Sequence, residues 1–283
     1  MHGPIPIEHL APFASRYDAL LCDAWGVIHD GVRVFDGAAE ALLKFSRERG
    51  PVLVITNAPR PSHMIPPQLD RLGLPRAAYS AVVTSGDATR VEIAKRQGKA
   101  AFRIGPAKDD ALFEGVPVEF ADLDKASFII CTGLIDDQSE EPDDYRGLLK
   151  KAADRRLEMI CANPDVVVRW GGRLAWCAGS LARIYEEFGG TVVYGGKPHA
   201  PIYSLAMEEI AELRGAPANR SRILAIGDGA ATDIRGANLQ GIDAVYVAGP
   251  GGVHHGASSA DAVAAALKAA GASAIAVMEH LQW

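Results

Sequence analysis

LLCDAWGVIHD, residues 20–30, is a short apolar run that ends in Asp23 and opens into a turn carrying Gly26. Far along the chain, ILAIGDGAATD, residues 223–233, repeats the design, with Asp228 and Asp233 in a Gly-containing turn after the apolar run. An aspartate at the carboxyl end of a buried strand is costly unless it is paired, metal-bound or chemically employed. Two such strands brought together would join their carboxylates, offering Mg²⁺ an oxygen site and a phosphoryl group a nucleophile.

Working outward, short apolar runs alternate with segments of helical periodicity, the pattern of an α/β fold on a mainly parallel sheet. Strands are expected at 19–22, 51–56, 81–84, 101–104, 128–132, 158–162, 191–194, 223–226 and 244–247. Apolar spacing predicts helices at 37–49, 142–155 and 200–214, and the Ala-rich 260–270 reads as a surface helix. Residues 85–190 have strands and helices of their own and none of the acidic strand ends. They read as an inserted α/β domain, leaving 1–84 and 191–283 as the core. Open parallel sheets bind ligands beyond the carboxyl ends of their strands, so an insertion emerging there would cover the site.

The bulk numbers exclude several classes. A chain of 283 residues allows one large or two moderate domains, and 48% hydrophobic with 23% charged residues is ordinary for a globular protein with a sizeable core. The net charge of −6 argues against general nucleic-acid or anionic-membrane partners. No run approaches the roughly 20 apolar residues that span a bilayer. The opening MHGPIPIEHLAPF lacks a basic and an apolar region of the secretory kind, so a cytoplasmic location is expected. Cys22, Cys131, Cys161 and Cys177 have no CxxC spacing and read as buried free thiols. His63, His199, His254 and His255 form no zinc-like spacing.

Four segments line up in chain order: DAWGV at 23–27, VITN at 54–57, GGKP at 195–198, and GDGAATD at 227–233. Together they resemble the four-motif signature of the haloacid dehalogenase superfamily. The GGKP and GDxxxTD forms, with a large insertion before them, look like the NagD-type, p-nitrophenyl phosphatase-like branch (subclass IIA). ANPD at 162–165 is similar to a segment of that branch's cap. The resemblance implies a Rossmann-like parallel-sheet core with a large inserted α/β cap, and Mg²⁺-dependent hydrolysis of a small phosphorylated metabolite. It implies Asp23 as nucleophile, with Asp23, Asp228 and the Trp25 backbone carbonyl on the metal. Asp233 would stand behind them, orienting a water or Lys197. Thr56 and the Asn57 backbone N–H would hold phosphoryl oxygens, and Lys197 would neutralise charge on Asp23 and the phosphoryl group. Cap-mediated homodimers would suit the resemblance.

Taken singly, Asp23 or Asp228 could be a helix cap, Thr56 a strand-end hydroxyl and Lys197 a solvated surface residue. Their order in one chain favours the functional reading. Asn163 and Asp165 stay open between contacting substrate and merely shaping a turn before and after Pro164. Trp170, Trp176 and Tyr185 could stack on a substrate ring, but isolated aromatics are more often core.

The chain departs from the pattern at Trp25. In phosphatases of this superfamily the second residue after the nucleophile is normally an aspartate, which protonates the leaving oxygen and then deprotonates the attacking water. Indole has a non-titrating donor and no basic lone pair. A positioned acid or base is worth about 10²–10⁴ in rate, or roughly 3–5 kcal/mol of barrier. Three readings follow. The protein is a phosphatase suited to leaving groups that need little protonation, or His29 or Asp30 stands in, or the site binds a phospho-ligand without turnover. An aromatic at this position also suggests a dehalogenase-type hydrolase, a route disfavoured by the retained Asp228 and Asp233.

Overall fold

The continuous apolar runs become strands buried on both faces. The computed structural model describes residues 3–170, 173–249 and 259–283; His254 and His255 lie outside the described residues, as does the side chain of Trp170. Numbered in chain order, one sheet holds β1 (Ile5–Pro6), β2 (Ala19–Cys22), β3 (Val52–Thr56), β4 (Ala81–Thr84), β12 (Ile223–Gly227), β13 (Asp243–Val247) and β14 (Ala276–Met278). Their order across the sheet is β1-β14-β13-β12-β2-β3-β4, and every pairing is parallel. Side chains alternate between two separate cores. Leu20, Cys22, Val52, Val54, Leu224 and Ile226 face one, while Ala19, Leu21, Leu53, Ile55, Ile223 and Ala225 face the other. A strand covered on both sides has no polar face, which is why these segments read as unbroken apolar runs.

The second sheet comprises β5 (Ala100–Ile104), β6 (Glu119–Phe120), β7 (Phe128–Cys131), β8 (Glu158–Cys161) and β11 (Thr191–Tyr194), in the order β11-β8-β7-β5-β6. This corrects the sequence-based boundary at 190/191. Thr191 pairs with Glu158 and Tyr194 with Cys161, so 191–194 belongs to the second sheet, and the chain rejoins the first only at Ile223. The TVVY pattern suits either sheet; the unpaired edge of β8, with Val192 and Tyr194 packed on its core, captures it. An antiparallel hairpin, β9 (Val167–Trp170) and β10 (Arg173–Trp176), was not expected from the sequence. Its strands are separated by the dipeptide Gly171-Gly172, a hairpin signal.

Helices cover both sheets. On the first sheet's faces, α1 (Ala11–Ala14), α2 (Ala38–Glu48) and α3 (Ile65–Leu72) pack on one side. The longer connections carry α4 (Ser85–Ala94), α5 (Arg146–Asp154), α6 (Ala178–Glu187), α7 (Ala200–Arg214), α8 (Arg235–Leu239) and α9 (Ala260–Ala270). The amphipathic spacing read from 200–214 appears as Ile202, Tyr203, Ala206 and Ile210 buried against the second face of the first sheet. All four cysteines are buried and free. No helix among the described residues is long and apolar enough to cross a membrane.

Phe45 of α2 is fully buried in the first core with Ala41 and Leu42. Truncation leaves a cavity the two-faced sheet cannot collapse into. Phe45→Ala is expected to cost about 3–5 kcal/mol, read as a lower urea midpoint with the folded-state circular dichroism retained.

Candidate active site

Asp23 follows β2 directly and remains tied to the sheet, its backbone N–H donating to the Ile226 carbonyl at 2.9 Å. Asp228 follows β12, the strand paired to β2. Thr56 ends β3, β2's other neighbour, and Asn57 follows it. The loop after β11 brings Lys197 in from the second sheet. The carboxyl ends of three neighbouring parallel strands and the loop after β11 of the second sheet thus converge on one point.

Lys197 joins them. Its Nζ lies 2.5 Å from Asp23 Oδ1, 2.6 Å from Asp233 Oδ1 and 3.1 Å from the Ile55 carbonyl oxygen, which spends all three ammonium donors. The residue is 2% exposed. Asn57 clasps its backbone: Lys197 N–H donates to Asn57 Oδ1 at 2.7 Å, and Asn57 Nδ2 donates to the Lys197 carbonyl at 3.2 Å. The same Nδ2 donates to Asp165 Oδ1 at 2.9 Å. Asp233 is fixed from behind, its Oδ2 accepting from Gly229 N–H at 3.0 Å and from the Thr232 hydroxyl at 3.3 Å.

Among the described residues, Asp23, Asp228 and Asp233 are all buried and place one oxygen each within 4.8 Å of one another. Burial, then repulsion from Asp233 and Asp228, pushes the Asp23 carboxyl up against the pull of Lys197. Burial opposes the Lys197 charge, but Asp23, Asp233 and Asp165 outweigh it and hold the ammonium protonated. Three carboxylates around one ammonium leave an excess of negative charge in a dry site, which a hard dication with oxygen ligands would offset. The donor set therefore fits Mg²⁺. The turn after Asp23 is built to let these groups meet: at Gly26, φ is +88°, and a Cβ would sit 2.2 Å from Asp228 Oδ2.

Trp25 borders a cavity of about 430 Å³ that is also lined by His29, Thr56, Asn163, Asp165 and Trp176. Its ring meets His29 edge-on, with centroids 5.3 Å apart, and lies over Gly31, where a Cβ would fall 2.4 Å from the indole. Neither proposed substitute for the missing acid fits that part. His29 is buried, its Nδ1 accepts from Gly31 N–H at 3.0 Å, and burial lowers its pKa to about 4 despite the pull of Asp30. It is neutral at pH 7 and cannot deliver a readily released proton. Asp30 receives Val32 N–H and Arg33 N–H at 2.9 Å each, does not line the cavity, and is a turn residue.

The remaining expected residues divide. Thr56 lines the cavity and its Oγ1 accepts from Ala58 N–H at 3.3 Å. Asn163 closes a turn, its Oδ1 accepting from Asp165 N–H at 3.1 Å, while its neighbour Asp165 reaches the Lys197 clasp through Asn57. Tyr185 is core, its hydroxyl donating to the Leu157 carbonyl. Trp176 is a cavity wall, with Nε1 donating to Glu141 Oε2 at 2.6 Å. Sequence reasoning missed the side-chain role of Asn57 and the ion pair of Arg60 with buried Asp109 at 3.7 Å, because neither pairing leaves a local pattern.

A haloacid dehalogenase-like hydrolase family model matches residues 20–119, and a second, HAD-hydrolase-like, matches 194–271. A haloacid dehalogenase-like hydrolase from Brucella suis 1330 is 43% identical, with 97% of this chain and 99% of that chain covered at a TM-score of 0.88. The chain belongs to the haloacid dehalogenase-like hydrolases. More distant solved structures share the fold. A possible sugar phosphatase from Cytophaga hutchinsonii is 19% identical over 98% of both chains, with a TM-score of 0.80. A glycerol phosphate phosphatase from Mycobacterium tuberculosis, in complex with magnesium, is 22% identical over 85% of this chain and 69% of that chain, at 0.64. No curated protein matches by sequence.

The buried His29 has a consequence for stability. Between its unfolded pKa near 6.5 and about 4, the unfolded chain binds a proton that the folded chain does not, so stability falls as pH drops through that window. The full span corresponds to at most about 3 kcal/mol. His29→Gln is expected to flatten the fall in urea midpoint between pH 7 and pH 5 relative to wild type. An unchanged slope would place His29 among groups that take up a proton without unfolding.

Proposed function

We propose that this hydrolase is a Mg²⁺-dependent phosphatase acting on a small phosphorylated metabolite through an aspartyl-phosphate on Asp23. The observation that carries the reading is the buried Lys197 ammonium, which holds Asp23 and Asp233 beside Asp228, while Ala24, Trp25 and Thr56 next to them line a substrate-sized cavity. Three distant relatives of the same fold are a possible sugar phosphatase, a glycerol phosphate phosphatase and a 4-nitrophenylphosphatase. That is the chemistry this site suits.

Asp23, Asp228, the Trp25 carbonyl and, behind them, Asp233 would hold the metal. Mg²⁺ supplies charge that polarises the phosphoryl group and offsets the excess carboxylate. An Asp23 carboxylate oxygen attacks phosphorus, the ester P–O bond breaks, and the leaving group departs with the electron pair. Water then attacks the phosphorus, the Asp23–phosphorus linkage breaks, and orthophosphate leaves with Asp23 restored. Lys197 neutralises Asp23 in the resting site and the phosphoryl oxygens during transfer, the electrostatic share of the catalysis. Thr56 and the Asn57 N–H position those oxygens. Asn57 also keeps Lys197 in place.

No carboxylic acid stands where Trp25 does, and neutral His29 does not replace one. The site therefore favours leaving groups that depart without a proton, such as aryl and acyl phosphates. The same tryptophan favours a second reading, a phospho-ligand binder with no turnover.

Hydrolysis of p-nitrophenyl phosphate and acetyl phosphate separates them. The phosphatase reading requires turnover that needs Mg²⁺, is abolished by EDTA and is lost in Asp23→Asn. Folded, Mg²⁺-binding protein that turns over neither compound would contradict it. Trp25→Asp is expected to raise kcat on alkyl phosphates at least about tenfold. No gain with the fold intact would dispose of the missing-acid explanation.

A further inference from the structure

The charges that border the cavity are almost all spoken for. Lys108 is paired with Asp137, Arg60 faces Asp109, and Asp165 accepts from Asn57. Arg71 lines the same cavity, is exposed, and among the described residues its side chain makes no ion pair or hydrogen bond. It occupies the last turn of α3, whose Ile65, Gln68 and Leu72 form one helical face along the cavity wall. Ile65 is buried, whereas Arg71 lies about 9 Å further along the axis at 1.5 Å per residue. Along this helix the wall thus runs from a buried apolar residue to an exposed, uncompensated cation. With Lys197 engaged beside Asp23 and Asp233 where the phosphoryl group is transferred, Arg71 is the cation left for the rest of the substrate.

We propose that Arg71 is a specificity residue that receives a second anionic group of the substrate, a carboxylate or phosphate, at the end remote from the transferred phosphoryl group. The assignment rests on the phosphatase reading only for which end of the ligand enters beside Asp23. A planar guanidinium offers paired donors that match either oxyanion. Ile65, Leu72, Leu134, Val168 and Trp176, which line the same cavity, suit an apolar ligand body. The competing role for Arg71 is structural, a cation that complements the carboxyl end of α3. That role would alter stability and leave ligand discrimination untouched.

Non-hydrolysable phosphonates make the test independent of turnover. Calorimetric binding to the Mg²⁺-loaded protein would compare phosphonocarboxylates and α,ω-bisphosphonates of increasing chain length with alkylphosphonates of the same lengths. At the best length the second anion is expected to tighten binding about tenfold, and which series gains tells carboxylate from phosphate. Arg71→Gln should erase that gain while leaving alkylphosphonate binding and p-nitrophenyl phosphate turnover within about twofold, and Arg71→Lys should restore part of it. No gain at any length, a gain that survives in Arg71→Gln, or no phosphonate binding at all overturns the proposal. Phosphonate binding without p-nitrophenyl phosphate turnover would instead contradict the phosphatase reading, with the role of Arg71 still decided by the binding series.

Discussion

A single buried ammonium organises this protein. An isolated charge at 2% exposure would not be tolerated, so Lys197 requires Asp23 and Asp233 at hydrogen-bond distance, and they require it. Those three residues come from three places: the end of β2, the turn after β12, and the loop that returns from the second sheet. Satisfying Lys197 therefore aligns both sheets. Asn57 makes the alignment stricter by gripping the lysine's backbone from the end of β3 and linking it to Asp165 in the second sheet's loops. Removing one partner of such a pair is far more damaging than never having had it, because the other charge stays buried.

The electrostatics that hold the site together also define its chemistry. A carboxylate kept beside two others is poised for a dication and for an electrophilic phosphorus. The usual partner for proton transfer is absent, and the structure explains why a neighbour has not taken over. His29 is drawn into the interior and kept neutral, and Asp30 is used by backbone N–H groups of its own turn. Trp25 itself is built in: Gly31 leaves room for the indole, and His29 meets its edge. Under the proposed phosphatase reading, a site with electrostatic stabilisation intact and proton transfer reduced would select among substrates by leaving group.

Much of this was legible in the chain. Buried parallel strands carry no polar face, so 19–22, 81–84 and 191–194 appear in the sequence with the bounds they have in the fold. The helix Ala200–Arg214 was equally plain from its spacing. Asp23, Asp228 and Asp233 could be singled out because buried acids after apolar strands need a reason, and Lys197 through the resemblance of GGKP to a family motif; the structure brings all four together. What pattern could not reveal was which sheet takes a strand. TVVY fits either, and only the free edge of β8 decides. The clasp between Asn57 and Lys197 was hidden for the same reason, since its partners lie far apart in sequence and neither residue is unusual alone. The short strands β1 and β14 escape because two or three residues form no periodicity.

The central claim is that Asp23 is a nucleophile rather than a structural acid. Under the proposed mechanism, Trp25 would leave this chain without the group that speeds release of the intermediate as well as without the acid, because one residue would serve both steps. An aspartyl-phosphate should therefore persist. Acid quenching of the Mg²⁺-loaded protein with p-nitrophenyl phosphate, followed by peptide mass spectrometry, tests this directly. The account predicts one added phosphoryl group on the peptide containing Asp23, labile at alkaline pH. Turnover with that peptide unmodified, or a phosphoryl group found on another residue, would contradict it.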